Sequence, residues 1–87
     1  MRQRRIRLIA RVSCRAESRG EERPLALTIG GRRIGVVDIL EHALVAAAEA
    51  GSPVRARFTV ELEDGSVVLL ERSLPADEWR VWRIDGR

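Results

Sequence analysis

The sequence predicts a mainly β fold, a small antiparallel barrel of five or six strands with one short helix near residues 42–50. Three observations lead there. Apolar and polar residues alternate from Arg5 to Ala16 and again from Val54 to Glu63, the period of a strand with two unlike faces. Gly30-Gly31 and Asp64-Gly65 stand between apolar runs, and such pairs suit hairpin turns that need positive φ. The chain has 87 residues, enough for one domain with one small core that buries about 60–65% of the unfolded surface.

The first strand is expected over residues 5–16. Ile6, Leu8, Ala10, Val12, Cys14 and Ala16 form its apolar side, and Arg5, Arg7, Ile9, Arg11, Ser13 and Arg15 form the other. A helix would scatter those arginines around its axis. Gly20-Glu21-Glu22-Arg23-Pro24 follows as a polar connector. Leu25, Leu27 and Ile29 alternate with Ala26 and Thr28, and the Gly30-Gly31 turn leads to Ile34–Leu40, a run so apolar that it reads as a strand buried on both faces.

Residues 38–50 read two ways. Val36-Val37-Asp38-Ile39-Leu40 suits a strand, yet Asp38, Glu41, His42 and Glu49 would share one face of a helix. His42 to Ala50 is rich in helix formers, and Gly51 and Pro53 would end a helix. The expectation is a strand to about residue 41 and a helix over 42–50. Beyond Pro53, Val54, Ala56, Phe58, Val60 and Leu62 face in, while Arg55, Arg57, Thr59, Glu61 and Glu63 face out. Asp64-Gly65 turns the chain into a return strand at Val67–Leu70, Leu74–Asp77 turns it again, and Glu78–Ile84 is the last strand. Short antiparallel strands joined by tight turns in so short a chain suggest an SH3-like closure.

Several segments resemble one known family: Gly20–Pro24, Gly30–Ile34 with Val36–Leu40, Phe58-Thr59-Val60, Asp64-Gly65, Val68–Arg72 and Glu78-Trp79. Over about residues 20–80 the chain is similar to a small bacterial domain found stand-alone or alongside Y-family DNA polymerases of mutagenic repair. The resemblance implies a DNA-repair setting, with a repair polymerase as one partner, and brings no catalytic residues. Where members carry an Asp-Arg-Trp-like step this chain has Glu41-His42-Ala43, and Arg57 stands where they often have Tyr.

Composition narrows the function. All 16 basic residues are arginine. Residues 1–23 hold eight of them against three glutamates, and the rest hold eight against ten acids. So local an excess points to a polyanion-facing patch. One cysteine excludes an internal disulfide and a cysteine-based zinc site, and Cys14 reads as a buried small hydrophobe. No apolar run approaches the ~20 residues of a membrane span, and the apolar stretch near the start is short for a secretion leader; the expected location is the cytoplasm.

Arg5, Arg7, Arg11 and Arg15, extended by Arg55 and Arg57 if their strand lies alongside, could track phosphates. The same face also reads as a solvated surface partly neutralised by Glu61, Glu63 or Glu71, or as a contact for an acidic protein. Trp79 and Trp82 lie three positions apart and so face opposite ways; one anchors the core, and the other offers a base-stacking platform or a subunit contact. Asp38, Glu41 and His42 would make a thin metal-ligand set on a helix and read better as a polar face. With a lone histidine and no phosphate-loop pattern, no catalytic group, metal or cofactor is expected. The function expected is a non-enzymatic nucleic-acid-binding or DNA-repair accessory module. The rival is a protein-interaction or self-associating domain, a homodimer whose first strand pairs with a second copy.

Overall fold

The computed structural model describes residues 4–16, 22–45, 54–74 and 78–85. Seven strands run in chain order: β1 (Arg4–Leu8), β2 (Ala10–Ala16), β3 (Glu22–Ile29), β4 (Arg32–Val45), β5 (Val54–Leu62), β6 (Val67–Leu74) and β7 (Glu78–Asp85). They form one antiparallel sheet in the order β1-β7-β6-β5-β4-β3-β2. The strands at the two ends of that order are neighbours in sequence, joined by Ile9 alone. The sheet therefore curls into a half-barrel to bring its ends together.

The strand count exceeds the expected five or six because the first strand breaks at Ile9. Burial alternates as the sequence predicts from Arg5 to Val12 and breaks at Ser13, which the alternation places on the exposed side but which is half-buried like its neighbours Val12 and Cys14. Arg5, Arg7, Ile9, Arg11 and Arg15 are exposed, whereas Leu8, Ala10 and Val12 pack against the core. Cys14, expected to be buried, is half-buried.

The expected helix does not form over the part of it that the structure describes, residues 42–45. Residues 42–45 continue β4, and residues 46–50 lie outside the described residues; among the described residues there is no helix. His42, Ala43, Leu44 and Val45 pair with Phe58, Arg57, Ala56 and Arg55, so backbone pairing along β5 overrides a modest local helix preference. Ile34–Leu40 is also not buried on both faces: Val37, Asp38 and Leu40 are exposed. β4 pairs with β3 only over residues 32–35 and then transfers to β5. Register shifts between Val36 and Asp38 and between Ile39 and Glu41 leave Val37 and Leu40 as extra residues, and bulged residues bend and twist the strand that carries them.

The core is Leu27, Ala56, Phe58, Val60, Leu62, Val68, Leu70 and Val81, with Leu8, Val12, Ile34, Val36, Ile39 and Trp79 packed around it. The period-two reading of β5 is correct: Ala56, Phe58, Val60 and Leu62 are all buried. Burying each large aliphatic side chain contributes about 1.5–3 kcal/mol.

Both glycine hairpins form. Gly30 and Gly31 have φ of 57° and 78° and join β3 to β4 with Ile29 opposite Arg32, the two-residue turn that needs positive φ twice. At the other hairpin, the Gly65 N–H donates to the Leu62 carbonyl at 2.9 Å and Gly65 has φ 86°. A turn followed by a positive-φ glycine makes a three-residue loop there instead of a two-residue one. The Ser66 N–H and hydroxyl both donate to Asp64 Oδ1. Beside this loop, the Glu63 N–H donates to the Gly35 carbonyl, and the Gly35 N–H donates to Glu63 Oε1 at 2.7 Å. This clip sits where β4 leaves β3 for β5.

Two predictions follow from the loop. A Cβ at Gly65 would meet nothing within 4 Å, so Gly65→Val should destabilise through backbone strain alone, by about 1–3 kcal/mol. Gly65→Asn, which tolerates positive φ, should cost clearly less; urea unfolding of both variants checks this. The Ser66 hydroxyl and N–H bonds hold Asp64 below its ordinary pKa of 3.8. A lowered folded pKa means that this contribution is complete above the unfolded value and lost as pH falls through the folded one. NMR titration of Ser66→Ala should show the Asp64 pKa rising towards its ordinary value.

Candidate functional site

Register sorts the side chains of the five-stranded part of the sheet into rows, because directly opposed residues share a face. Leu8, Val81, Leu70, Phe58 and His42 make one row across β1, β7, β6, β5 and β4 on the core side. At its end the His42 ring stacks on Phe58, with centroids 4.2 Å apart and planes inclined by 11°. On the opposite, outer face the row is Arg7, Trp82, Leu69, Thr59 and Glu41. Next to it stand Arg80, Glu71, Arg57 and Ala43.

The two tryptophans take the opposite faces that their spacing predicts. Trp79 packs against the core, 6.0 Å from Phe58 between ring centroids, with the Arg72 guanidinium 5.7 Å from its centroid. Trp82 lies on the outer face, half-buried, with the Arg7 guanidinium 5.6 Å from its ring centroid. This cation–π contact fixes Arg7 against the sheet and leaves its charge facing outward.

The six arginines singled out in the sequence fall into two groups. Arg5, Arg7, Arg11 and Arg15 lie exposed along β1 and β2, and among the described residues no carboxylate is within ion-pair distance of any of them. Arg55 and Arg57 lie on β5, separated from β1 by β7 and β6, so the condition for their extending the stripe, a strand alongside the first, is not met. Both are held by Glu71: Arg57 Nη2 donates to Glu71 Oε2 at 3.3 Å, and Arg55 Nη1 lies 3.9 Å from Glu71 Oε1. Glu71 is 7% exposed, a buried carboxylate on the outer face, while the Arg57 Nε atom is buried without a partner.

Topology also builds a cleft on the outer face that no sequence motif announces. Arg5, Glu41, Arg57, Thr59, Val67, Leu69 and Ile84 line a volume of about 450 Å³. Its floor is aliphatic, Leu69 being buried, and its walls are charged. Arg5 and Arg57 thus reach one cleft although their strands are not neighbours. The Arg57–Glu71 pair was within reach of sequence reasoning, because each residue lies seven positions from Asp64 on opposite arms of the hairpin. The cleft was not, since it needs β7 inserted between β1 and β6.

Asp38 and Glu41 stand opposite Glu61 and Thr59 on the outer face, whereas His42 turns to Phe58 on the core side. The three do not gather, and among the described residues no group of three His, Cys, Asp or Glu is placed to hold a metal. No helix among them is long and apolar enough to cross a membrane. No family model, curated protein or solved structure matches the chain.

Removing Arg57 would leave the buried Glu71 carboxylate with only the longer Arg55 contact. Arg57→Leu should therefore destabilise by about 1–3 kcal/mol, the cost of a buried acceptor without its partner. Arg55→Leu, which removes a 3.9 Å contact from a half-exposed side chain, should cost under ~1 kcal/mol. Shifts in urea midpoint read both.

Proposed function

We propose that the protein binds a nucleic-acid strand along the outer face of β1 and β2, as a non-enzymatic accessory module. The observation that carries this reading is the contrast between the two groups of arginines. Arg55 and Arg57 have an internal counterion, whereas Arg5, Arg7, Arg11 and Arg15 have none among the described residues. Alternate residues of a strand lie about 6.6–6.8 Å apart, a spacing that lets successive guanidiniums reach successive phosphates. The aliphatic floor of Val67, Leu69 and Ile84, walled by Arg5 and Arg57, takes an unstacked base beside that track, and Trp82 adds an aromatic surface next to it. A single strand is accordingly the preferred form. The resemblance over residues 20–80 supports a setting in DNA repair, beside a repair polymerase in the bacterial cytoplasm, and an SH3-like form for the curled sheet.

Binding through four unpaired arginines should give a slope of log K against log salt near −3, since each phosphate contact contributes about 0.7–0.9. Arg7→Glu with Arg11→Glu should flatten the slope by about 1.4–1.8 while leaving the far-ultraviolet spectrum unchanged. Arg55→Ala, which removes an already paired charge, should leave the slope nearly as it was. Fluorescence anisotropy with labelled single- and double-stranded oligonucleotides reads all three, and absence of salt-sensitive binding to either sinks the proposal.

A further inference from the structure

A second surface, opposite in character to the arginine stripe, lies where β3 and β4 part. The two strands pair only between residues 26–29 and 32–35. β3 then follows β2, and β4 follows β5. Among the described residues, 36–45 of β4 pair with β5 alone, Val37 and Leu40 excepted as bulged residues, and 22–24 of β3 pair with β2 alone. The parting leaves a cleft of about 280 Å³ lined by Arg15, Arg23, Pro24, Leu25, Val36, Val37, Asp38 and Ile39.

Three features make this more than a gap. Among the described residues, no strand pairs with the outer edge of β4 from 36 to 45, which leaves it as a template for another strand. Apolar side chains stand exposed beside it: Leu25, Val37, Leu40 and, at 70% exposure, Leu44. Finally, the charges on the two lips are opposite. Arg15 and Arg23 stand directly across from one another on β2 and β3, a like-charge pair that is unfavourable unless an anion lies between them. The β4 edge carries Asp38 and Glu41, both exposed and without an ion pair among the described residues.

The chain thus holds both halves of one contact. We infer that the protein self-associates as a two-fold dimer through its β4 edges, with Asp38 of each copy meeting Arg23 of the other and Val37, Leu40 and Leu25 covered between them. A contact of this kind is isologous and closed, so it ends at two copies. It places the partner on β4, not on the first strand.

Sedimentation equilibrium of the full chain tests the assignment. The protein should be a dimer at micromolar concentration. Val37→Lys and Leu40→Lys, at exposed bulge positions, should each weaken the dimer at least tenfold without moving the urea unfolding midpoint extrapolated to the monomer. Asp38→Arg should weaken it comparably, and joining Asp38→Arg to Arg23→Glu should restore it, because the complementarity is then reversed on both lips. A chain that stays monomeric up to millimolar concentration overturns the inference. So does a dimer that ignores Leu40→Lys but is lost on Ile9→Lys, which would move the contact to the first strand.

Discussion

The curl of the sheet depends on one covalent constraint, the continuity of backbone from Leu8 through Ile9 to Ala10. Arg4–Leu8 pairs with the last strand, and Ala10–Ala16 pairs with the third, so the same stretch of chain terminates the sheet at both ends. Leu8, Ala10 and Val12 bring apolar side chains to the core from both sides of the junction, and Ile9 between them is 96% exposed. The core cluster can be enclosed only while both ends stay joined there. The arginine stripe shares this origin: because the strand runs along the seam, its polar side is turned wholly outward.

Much of this was legible in the sequence. Period two sorted β1, β2 as far as Val12, and β5 correctly, because each has a face on the core, and such a face dictates which side chains can sit on it. The glycine turns were legible because positive φ excludes most other residues. Reading failed where the ladder gains an extra residue. Leu25 is skipped between Pro24 and Ala26 in the pairing with β2, as Val37 and Leu40 are in the pairing with β5. All three are exposed aliphatics that strict alternation would place inside or leave ambiguous.

The helix expected from residue 42 has a local cause, the run of helix formers that His42 opens, and over 42–45 the pairing with β5 overrides it. Two bulges in β4 stretch its core-facing repeat, so Val36, Ile39 and His42, three apart, stand opposite Leu62, Val60 and Phe58. Asp38 and Glu41 fall three apart on the other face. A repeat of three lies closer to 3.6 than to two, which is why residues 38–42 also fit a helix face. The candidate site divides likewise. Residues near in sequence, such as the stripe and the two tryptophans, could be assigned to faces, whereas the outer cleft joins side chains that only the finished topology brings together.

Closure of the seam also sets an order of events. Arg4 pairs with Asp85 and Leu8 with Val81, so β1 has no partner strand until residues 81–85 are available. Contacts of such sequence separation are slow to form. Until then a five-residue segment with apolar Ile6 and Leu8 waits unpaired, the condition in which strands aggregate. Its alternate positions, Arg5 and Arg7, together with Arg4, keep like segments apart by charge repulsion during that interval. The guanidiniums that face outward in the finished sheet thus act earlier as guards of an unfinished one.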